Sequence, residues 1–320
     1  MNLLLFFLHY LYKKINLETK ILNDFKQIRK DQQLFFEKLK TEGISSRIDH
    51  LKNLKRLINK RESKIIEALS ADLGKPSFES YTSEILMVQK ELDLFIKNLK
   101  SWAAPKQVSG SLLNFPSKDY ILYEPYGKVL MISPWNYPFQ LALIPLIGAV
   151  ATGNTVVLKP SESAPHTTKV IAELLSEIFP KNWVQVIEGD AEIAQALLKL
   201  QWDYIFFTGS TTVGKIIAKS AAIHLTPLTL ELGGKSPCIV DGSTNIEKTA
   251  RRIIFGKFIN CGQTCIAPDY ILVKQEIKQS LIDALIKEIE KAFGQDSSKS
   301  KDYGRIIHQK HFDKLINNLK

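Results

Sequence analysis

Between residues 128 and 207, short apolar runs alternate with longer stretches of helical periodicity, and this alternation restricts the fold more than any other feature. Near-continuous apolar strands separated by helices are typical of a parallel sheet that is covered on both faces. Right-handed crossovers then give a doubly wound α/β domain, in which ligands bind beyond the carboxyl ends of the strands. We predict strands at 128–132, 155–158, 184–187 and 204–207, with helices at 139–152, 165–179 and 191–200.

The residues before this region predict helices. Between residues 33 and 99, apolar residues recur at spacings of three and four, as in helices that bury one face. The sequence DLGKP at 72–76 predicts a helix end, because glycine and proline terminate helices. Residues 103–119 contain few apolar side chains and predict a connector.

Beyond Glu231 the chain predicts a second α/β domain, with strands at 237–240 and 270–273 and helices at 246–258 and 276–293. The length of 320 residues suits two domains. We predict three parts: an N-terminal extension at 1–32, a nucleotide-binding domain at 33–231, which contains the connector and a doubly wound sheet at 120–231, and a catalytic domain at 232–320.

The N-terminal segment MNLLLFFLHYLYKKIN contains an apolar run from Leu3 to Tyr12, about half the length that spans a bilayer. It lacks the basic start and the small-residue cleavage site of a signal peptide. We interpret it as an amphipathic extension. The alternative is a membrane-surface anchor with Lys13 and Lys14 at the headgroups.

The composition describes a globular, basic chain. Its net charge is +10 and its pI about 9.3, but the lysines are scattered through helical stretches, which favours a solvated surface over a nucleic-acid site. Three cysteines do not make a disulfide framework and indicate a reducing, cytoplasmic compartment. Cys261 and Cys265 have no histidine or cysteine pair nearby that completes a zinc site, so we predict no metal.

Cys265 is the candidate nucleophile. It lies in the segment FINCGQTCIAP at 258–268 and follows Gly262, so a substrate can approach the backbone closely. A free thiol is only ~3% ionised at pH 7, yet its thiolate is strongly nucleophilic. The alternative interpretation is that Cys261 and Cys265 are small buried hydrophobic residues.

Two other segments carry polar groups suited to the same chemistry. Glu231 has leucines on both sides, which predicts partial desolvation and a role as general base; the alternative is an outward-facing residue of an alternating strand. Asn136 lies between Pro134 and Pro138, which fix the backbone, and a rigid amide can donate to an oxyanion. His308 and His311 lie in a lysine-rich helical stretch, so we predict that they are solvated, the alternative being a hydrolase-like pair with the cysteine.

The predicted strand ends carry candidate nucleotide-binding residues. Lys159 and Glu162 follow the second strand, where a cation and a carboxylate can reach a ribose; the alternative is a charged loop. The sequence TGSTTVGK at 208–215 follows the fourth strand and leads into a helix whose first amides can face a pyrophosphate. This pattern differs from the G-x-G-x-x-G fingerprint and is weak alone.

Together these segments resemble the aldehyde dehydrogenase superfamily, and most closely its class 3 branch, which acts on fatty and aromatic aldehydes. The matching segments, in order, are EPYGKVLMISPWNYPF, NTVVLKPSESAP, FFTGSTTVGK, LTLELGGKSPCIV and FINCGQTCIAPDY. The resemblance runs from about Gln33 to the last residue and implies a Rossmann-type sheet joined to an α/β catalytic domain.

The resemblance also implies site residues and a cofactor. Cys265, Glu231 and Asn136 match the catalytic positions of the family, as nucleophile, base and oxyanion donor. The implied cofactor is NAD, with NADP as the alternative, because a carboxylate at Glu162 disfavours a 2′-phosphate. The implied cofactor-binding residues are Pro134, Trp135, Lys159, Glu162, Gly209, Ser210, Thr211, Val213 and Gly214.

The resemblance carries one departure. Members of the superfamily continue well beyond the position of Lys320, into a part that grips the nicotinamide ribose and through which they usually dimerise. We therefore expect a truncated second domain with an open, partly apolar edge. A non-catalytic remnant that at most binds nucleotide stands as the alternative to an aldehyde-oxidising enzyme.

Overall fold

The computed structural model describes residues 3–318, with side chains described for residues 19–318. Its first third is helical, as the spacing of apolar residues predicted, and Leu51, Leu54 and Ile58 on one helical face are completely buried. The helices are α1 (Leu3–Thr41), α2 (Ile44–Lys60), α3 (Glu62–Leu73), α4 (Ser77–Ser80) and α5 (Leu86–Trp102), with a π-helical turn at Tyr81–Ile85 between the last two.

Helix α1 crosses the boundary that we predicted between residues 32 and 33. Phe25 is buried, and Ile21 and Leu22 pack against the same core, so this part of α1 packs on the sheet. Lys13 and Lys14 lie outside the residues whose side chains are described. Within residues 3–318, none of the helices combines the length and apolar content that crossing a bilayer requires.

The predicted helix end at 72–76 is confirmed. Helix α3 stops at Leu73, and Gly74 adopts a left-handed conformation with φ of 58° while its N–H bonds to Ser70 O at 2.8 Å. The predicted connector is more ordered than expected. It contains a short antiparallel pair, β1 (Lys106–Val108) and β2 (Asp119–Ile121), which periodicity did not indicate because both strands are three residues long and largely exposed.

The five-stranded parallel sheet confirms the doubly wound prediction. Its strands are β3 (Lys128–Ile132), β4 (Thr155–Lys159), β5 (Val184–Val186), β6 (Tyr204–Gly209) and β7 (Leu228–Leu232), in the order β5-β4-β3-β6-β7. The intervening helices are α6 (Gln140–Ala151), α7 (Pro165–Ile178), α8 (Ala191–Leu198) and α9 (Thr211–Ile223).

Alternate residues of the central strands face two cores. Val129 and Met131 pack with α2, α3, α5, α6 and α7 on one side, whereas Leu130 and Ile132 pack with α1, α8 and α9 on the other. The strand order reverses between β3 and β6, and a crevice at such a switch point is where ligands bind in open α/β sheets. The segments 133–138 and 209–214 begin at this crevice.

The second α/β unit is smaller. Strands β8 (Ser236–Val240) and β9 (Pro268–Val273) pair in parallel, and helices α10 (Ile246–Phe258) and α11 (Lys278–Phe293) cover one face of the pair. Ile239 and Leu272 in these strands are 76% and 52% exposed. Helix α12 (Gln309–Asn318) follows and contains no buried residue.

Candidate active site

The cysteine loop, residues 258–268, begins where α10 ends. Asn260, Cys261 and Gly262 are consecutive left-handed residues, with φ of 52°, 56° and 75°. This conformation costs a non-glycine residue about 1–2 kcal/mol, so neighbouring groups must stabilise the turn. Cys265 follows three residues later and is exposed, as a nucleophile must be to meet a substrate.

Asn260 stabilises the turn from within. Its backbone N–H donates to Glu79 Oε2 at 2.9 Å, and its side-chain Nδ2 donates to Asn136 O at 2.7 Å. Burial raises the pKa of Glu79, and this effect exceeds the opposing ones of the Asn260 N–H and of the charge on Lys75. The buried Asn260 therefore connects the cysteine loop to both α4 and the loop after β3.

Gln263 stabilises the loop from the other side. Its Nε2 donates to Arg305 O at 3.0 Å, and its Oε1 accepts from Ile307 N at 3.0 Å. Arg305 N in turn donates to Leu73 O at 2.7 Å. The segment that precedes α12 is thereby tied to the cysteine loop and to the end of α3.

The structure brings Asn136 to the cysteine loop. Asn136 Nδ2 donates to Gln263 O at 2.9 Å, and the hydroxyls of Tyr137 and Thr264 are 2.6 Å apart. Burial raises the pKa of Tyr137 to about 12, so its hydroxyl stays protonated at neutral pH. Asn136, the oxyanion donor suggested by the sequence, thus contacts Gln263, and its neighbour Tyr137 contacts Thr264, the residue before Cys265.

Glu231 has a different environment from the expected one. It is exposed on the edge strand β7, and the partial desolvation that we expected from its leucine neighbours is wrong. Successive strand residues point to opposite faces, so Leu230 and Leu232 pack on the core while Glu231 points away from it. Among the described residues its carboxylate makes no hydrogen bond or ion pair.

The chain after Glu231 approaches the nucleophile. A Cβ on Gly234 would lie 3.0 Å from Cys265 O, which places this glycine against the cysteine loop. Three residues of chain span at most about 10 Å, so the backbone of Glu231 lies within that distance of Gly234. The backbone that follows Glu231 therefore reaches the cysteine loop, which Asn136 also contacts.

The end of β4 carries a paired cation and anion. Lys159 is buried, and its Nζ lies 2.7 Å from Glu162 Oε2. Burial alone would raise the pKa of Glu162, but the hydrogen bond and charge of Lys159 oppose it, and the net pKa is lowered. Glu162 is therefore an ionised acceptor at neutral pH, beside the switch-point crevice.

The N-terminus of α9 opens at the end of β6. Ser210 caps the helix through its Oγ, which accepts from Val213 N at 3.3 Å, and Thr211 begins the helix. Gly209 and Gly214 leave room where side chains would collide: a Cβ would lie 2.5 Å from Phe207 Cζ and 2.8 Å from Leu232 Cδ2, respectively. Close packing thus brings the start of α9, with its first N–H groups, to the carboxyl end of β6.

The loop after β3 completes the crevice. Pro134 and Trp135 are half-buried, and the Trp135 ring centroid lies 4.9 Å from that of His311. Burial, together with the charge of His308, lowers the pKa of His311. Helix α12 is solvated as predicted, but His311 lies against a predicted site residue, which the lysine-rich sequence around it did not indicate.

These groups fit a dinucleotide. Buried Ser133 follows β3 at the switch point, and its Oγ has no hydrogen-bond partner among the described residues. A carboxylate at Glu162 suits ribose hydroxyls, and the amides at the start of α9 suit a pyrophosphate. The donors and acceptors present are those that such a cofactor needs.

Sequence reasoning missed Lys75 and Glu84. Both side chains are completely buried and paired with each other, in a helical region where the sequence indicated no chemistry. Lys75 Nζ lies 4.4 Å from the Tyr137 ring centroid. The helix break at 72–76 was the one available signal, because a lysine directly after a helix end can turn back into the structure.

The sequence matches a known protein family and members of it. The family model described as "Aldehyde dehydrogenase family" matches residues 19–320. The chain is 50% identical over 289 residues to 4,4′-diaponeurosporen-aldehyde dehydrogenase of Staphylococcus aureus, covering 90% of this chain and 63% of that one. It is 45% identical over 288 residues to a Rattus norvegicus enzyme named "Aldehyde dehydrogenase, dimeric NADP-preferring", covering 89% and 64%.

A solved structure gives the same result. The substrate-bound state of Staphylococcus aureus AldH superposes with a TM-score of 0.89 at 49% identity, covering 92% of this chain and 64% of that one. The chain therefore spans somewhat less than two thirds of the length of these relatives. From residue 19 onward, where sequence, fold and site geometry agree, the chain belongs to the aldehyde dehydrogenase family.

Proposed function

We propose that this chain carries the apparatus for NAD(P)-dependent oxidation of an aldehyde to a carboxylic acid, with Cys265 as the nucleophile. The observation that supports it most is the contact between the Asn136 side chain and the cysteine loop, at 2.9 Å from Gln263 O. Two segments far apart in sequence meet where a nucleophile and an oxyanion donor are needed together.

In this mechanism, the Cys265 thiolate attacks the aldehyde carbonyl carbon and forms a thiohemiacetal. The Asn136 amide and the Cys265 backbone N–H donate to the developing oxyanion, and each such donor is worth ~3 kcal/mol. NAD supplies a hydride acceptor when bound. The oxidised carbon stays on the Cys265 sulfur as a thioester until Glu231 removes a proton from water, and the water then releases the acid.

Exposure of Glu231 suits this base role. A general base must reach a water molecule that enters after oxidation, and the Glu231 carboxylate is free of competing hydrogen bonds among the described residues. The role also favours water as acyl acceptor over phosphate or coenzyme A.

We propose NAD as the preferred cofactor, with NADP as the alternative. Pro134, Trp135 and the paired Lys159 and Glu162 surround the crevice, together with Gly209, Ser210, Thr211, Val213 and Gly214 at the start of α9. The ionised Glu162 disfavours a 2′-phosphate by charge repulsion. We also propose that residues 232–320 form the catalytic domain, and that the substrate is a fatty or aromatic aldehyde.

A second candidate is a chain that binds nucleotide without catalysis. The exposure of the cross-strand partners Ile239 and Leu272 favours it, because an exposed apolar patch marks a surface that packs against something else. In that case the catalytic groups are present but do not turn over substrate.

Two assays on the purified chain separate these candidates: NADH formation from a medium-chain or aromatic aldehyde, and hydrolysis of an activated ester. Cys265→Ala should abolish both while nucleotide binding by calorimetry persists, whereas Cys238→Ala, which removes a thiol outside the loop, should change neither. Glu231→Gln should give a burst of NADH and then stall at the thioester.

The outcomes are distinct. Ester hydrolysis without NADH formation indicates an intact thiol and a defective cofactor end. Neither activity, with nucleotide binding retained, supports the non-catalytic candidate. Activity that survives Cys265→Ala excludes the proposed nucleophile.

A further inference from the structure

The buried pair of Lys75 and Glu84 is placed to act on the loop that carries Asn136. Both side chains are fully excluded from solvent, and Lys75 Nζ donates to Glu84 Oε1. Replacing a buried ion pair by apolar residues is often neutral or stabilising, so its presence is not explained by stability. The contacts that the pair makes elsewhere are therefore informative.

Glu84 anchors the far end of the Asn136 loop. Its Oε2 accepts from Phe139 N and from Gln140 N, both at 2.9 Å, at the point where α6 begins. A carboxylate at a helix N-terminus satisfies amides that have no partner within the helix. Glu84 itself lies in the π-helical turn Tyr81–Ile85, and such turns are frequent at functional sites.

Lys75 contacts the middle of the same loop. Its Nζ lies 3.5 Å from Asn136 O and over the ring of Tyr137. The pair thus contacts four of the five residues from 136 to 140, all except Pro138. Few positions are left at which this loop can shift independently of the pair.

The loop that carries Asn136 contacts the residues next to the nucleophile, so fixing this loop also fixes its position relative to Cys265. The Asn136 amide bonds to Gln263 O, and the Tyr137 hydroxyl meets Thr264 Oγ1, the residue before Cys265. A displacement of about 1 Å at a reacting centre can lower a rate by about a hundredfold. Positional control of Asn136 is therefore a sufficient reason to retain a costly buried pair.

We infer that Lys75 and Glu84 are positioning residues: together they hold the Asn136 amide in register with the Cys265 thiol, so that oxyanion stabilisation depends on them. This inference rests on the proposed nucleophile and oxyanion donor. It concerns only how the donor is held, and neither residue touches the substrate.

The test compares two reactions of the same thiol. Acylation of Cys265 by p-nitrophenyl acetate passes through an oxyanion, whereas alkylation by iodoacetamide does not. The charge-free variant Lys75→Met with Glu84→Gln keeps an acceptor for the amides of Phe139 and Gln140. It is expected to slow acylation at least about tenfold while alkylation of the Cys265 peptide, followed by mass spectrometry, changes less than about twofold.

A matched control is the exposed pair of Lys64 and Glu173, which joins α3 to α7. Lys64→Met with Glu173→Gln should leave both rates unchanged. Circular dichroism and thermal unfolding verify that each variant is folded. If the charge-free variant does not fold, Glu84→Asp, which keeps both charges but shortens the side chain that holds Phe139 N and Gln140 N, is measured by the same criteria.

A double-mutant cycle tests whether Lys75 and Glu84 act on acylation through Asn136. Asn136→Ala alone should lower the acylation rate, and adding the Lys75 and Glu84 substitutions to it should then have little further effect, because the donor they position is gone. Three results would each overturn the inference. They are an unchanged acylation rate in the charge-free variant, an equal fall in the acylation and alkylation rates, and rate reductions that multiply when the substitutions are combined with Asn136→Ala. Acylation that persists in Cys265→Ala would instead reject the proposed nucleophile.

Discussion

Replacing Glu84 with leucine should destabilise the protein strongly. The substitution leaves the Lys75 ammonium without its partner at a position where both side chains are completely buried. Removing one member of a buried pair costs about 3–5 kcal/mol. The amides of Phe139 and Gln140 lose their acceptor as well, at about 1–3 kcal/mol for each buried group.

Burial of the leucine side chain returns only part of this loss, about 1.5–3 kcal/mol. These figures span a net loss of about 2–9 kcal/mol in the free energy of unfolding, and we take about 4 kcal/mol, toward the low end, as the expected loss. With a urea m-value of about 3 kcal/mol/M, the unfolding midpoint should fall by about 1.3 M. Circular dichroism and tryptophan fluorescence during urea unfolding measure this shift.

Two variants make the reasoning refutable. Glu173→Leu breaks an exposed pair and should lose no more than about 1 kcal/mol. Lys75→Met combined with Glu84→Leu should be more stable than Glu84→Leu alone by about 2 kcal/mol, because no unpaired charge remains. A loss in Glu84→Leu no larger than that in Glu173→Leu would refute the cost of the unpaired buried charge, and so would a double variant that is no more stable than Glu84→Leu.

Three further outcomes follow from the site and the sheet. Gly209→Ala should lose about 1–3 kcal/mol and weaken nucleotide binding, because its Cβ would lie 2.5 Å from the ring of buried Phe207; unchanged stability and affinity, by urea unfolding and calorimetry, would contradict this. Asp190→Ala should lose about 1 kcal/mol in urea unfolding, because Asp190 accepts from the first N–H groups of α8; an unaltered midpoint would refute the cap. Because the pKa of Glu162 is lowered in the folded protein, its carboxylate stabilises the fold above its ordinary pKa and this contribution is lost as the pH falls. Glu162→Gln should therefore reduce the fall in melting temperature between about pH 5 and pH 3, and an identical fall in both proteins would argue against the ion pair.

The sheet was predictable because buried parallel strands are apolar along their whole length. Every residue of β3 and β4 is buried, so neither strand shows the alternation of a half-exposed strand, and their limits agree with the prediction within one residue. The pair β1 and β2 was not predictable from the same signal. Its strands are short and exposed, so their residues carry no burial pattern.

The loops of the candidate site were predictable from the sequence, but the buried residues that hold those loops in place were not. Cys265 and Asn136 stand in segments whose glycines and prolines mark them as special, and the family resemblance gave their roles. Lys75, Glu79 and Glu84 resemble surface charges of amphipathic helices, because their burial depends on loops that arrive from distant parts of the chain. Glu231 is the opposite case, a residue expected to be partly buried that is exposed. Its leucine neighbours in sequence point to the other face of the strand.

The support of the cysteine loop explains how an exposed thiol can also be held in place. Asn260 and Cys261 adopt left-handed angles that cost about 1–2 kcal/mol each. The contacts that offset this cost are made by Asn260 and Gln263, to Glu79 on one side and to the segment before α12 on the other. Among the described residues the Cys265 side chain takes part in none of these hydrogen bonds. Rigidity therefore comes from the preceding residues, which leaves the sulfur itself free for a substrate.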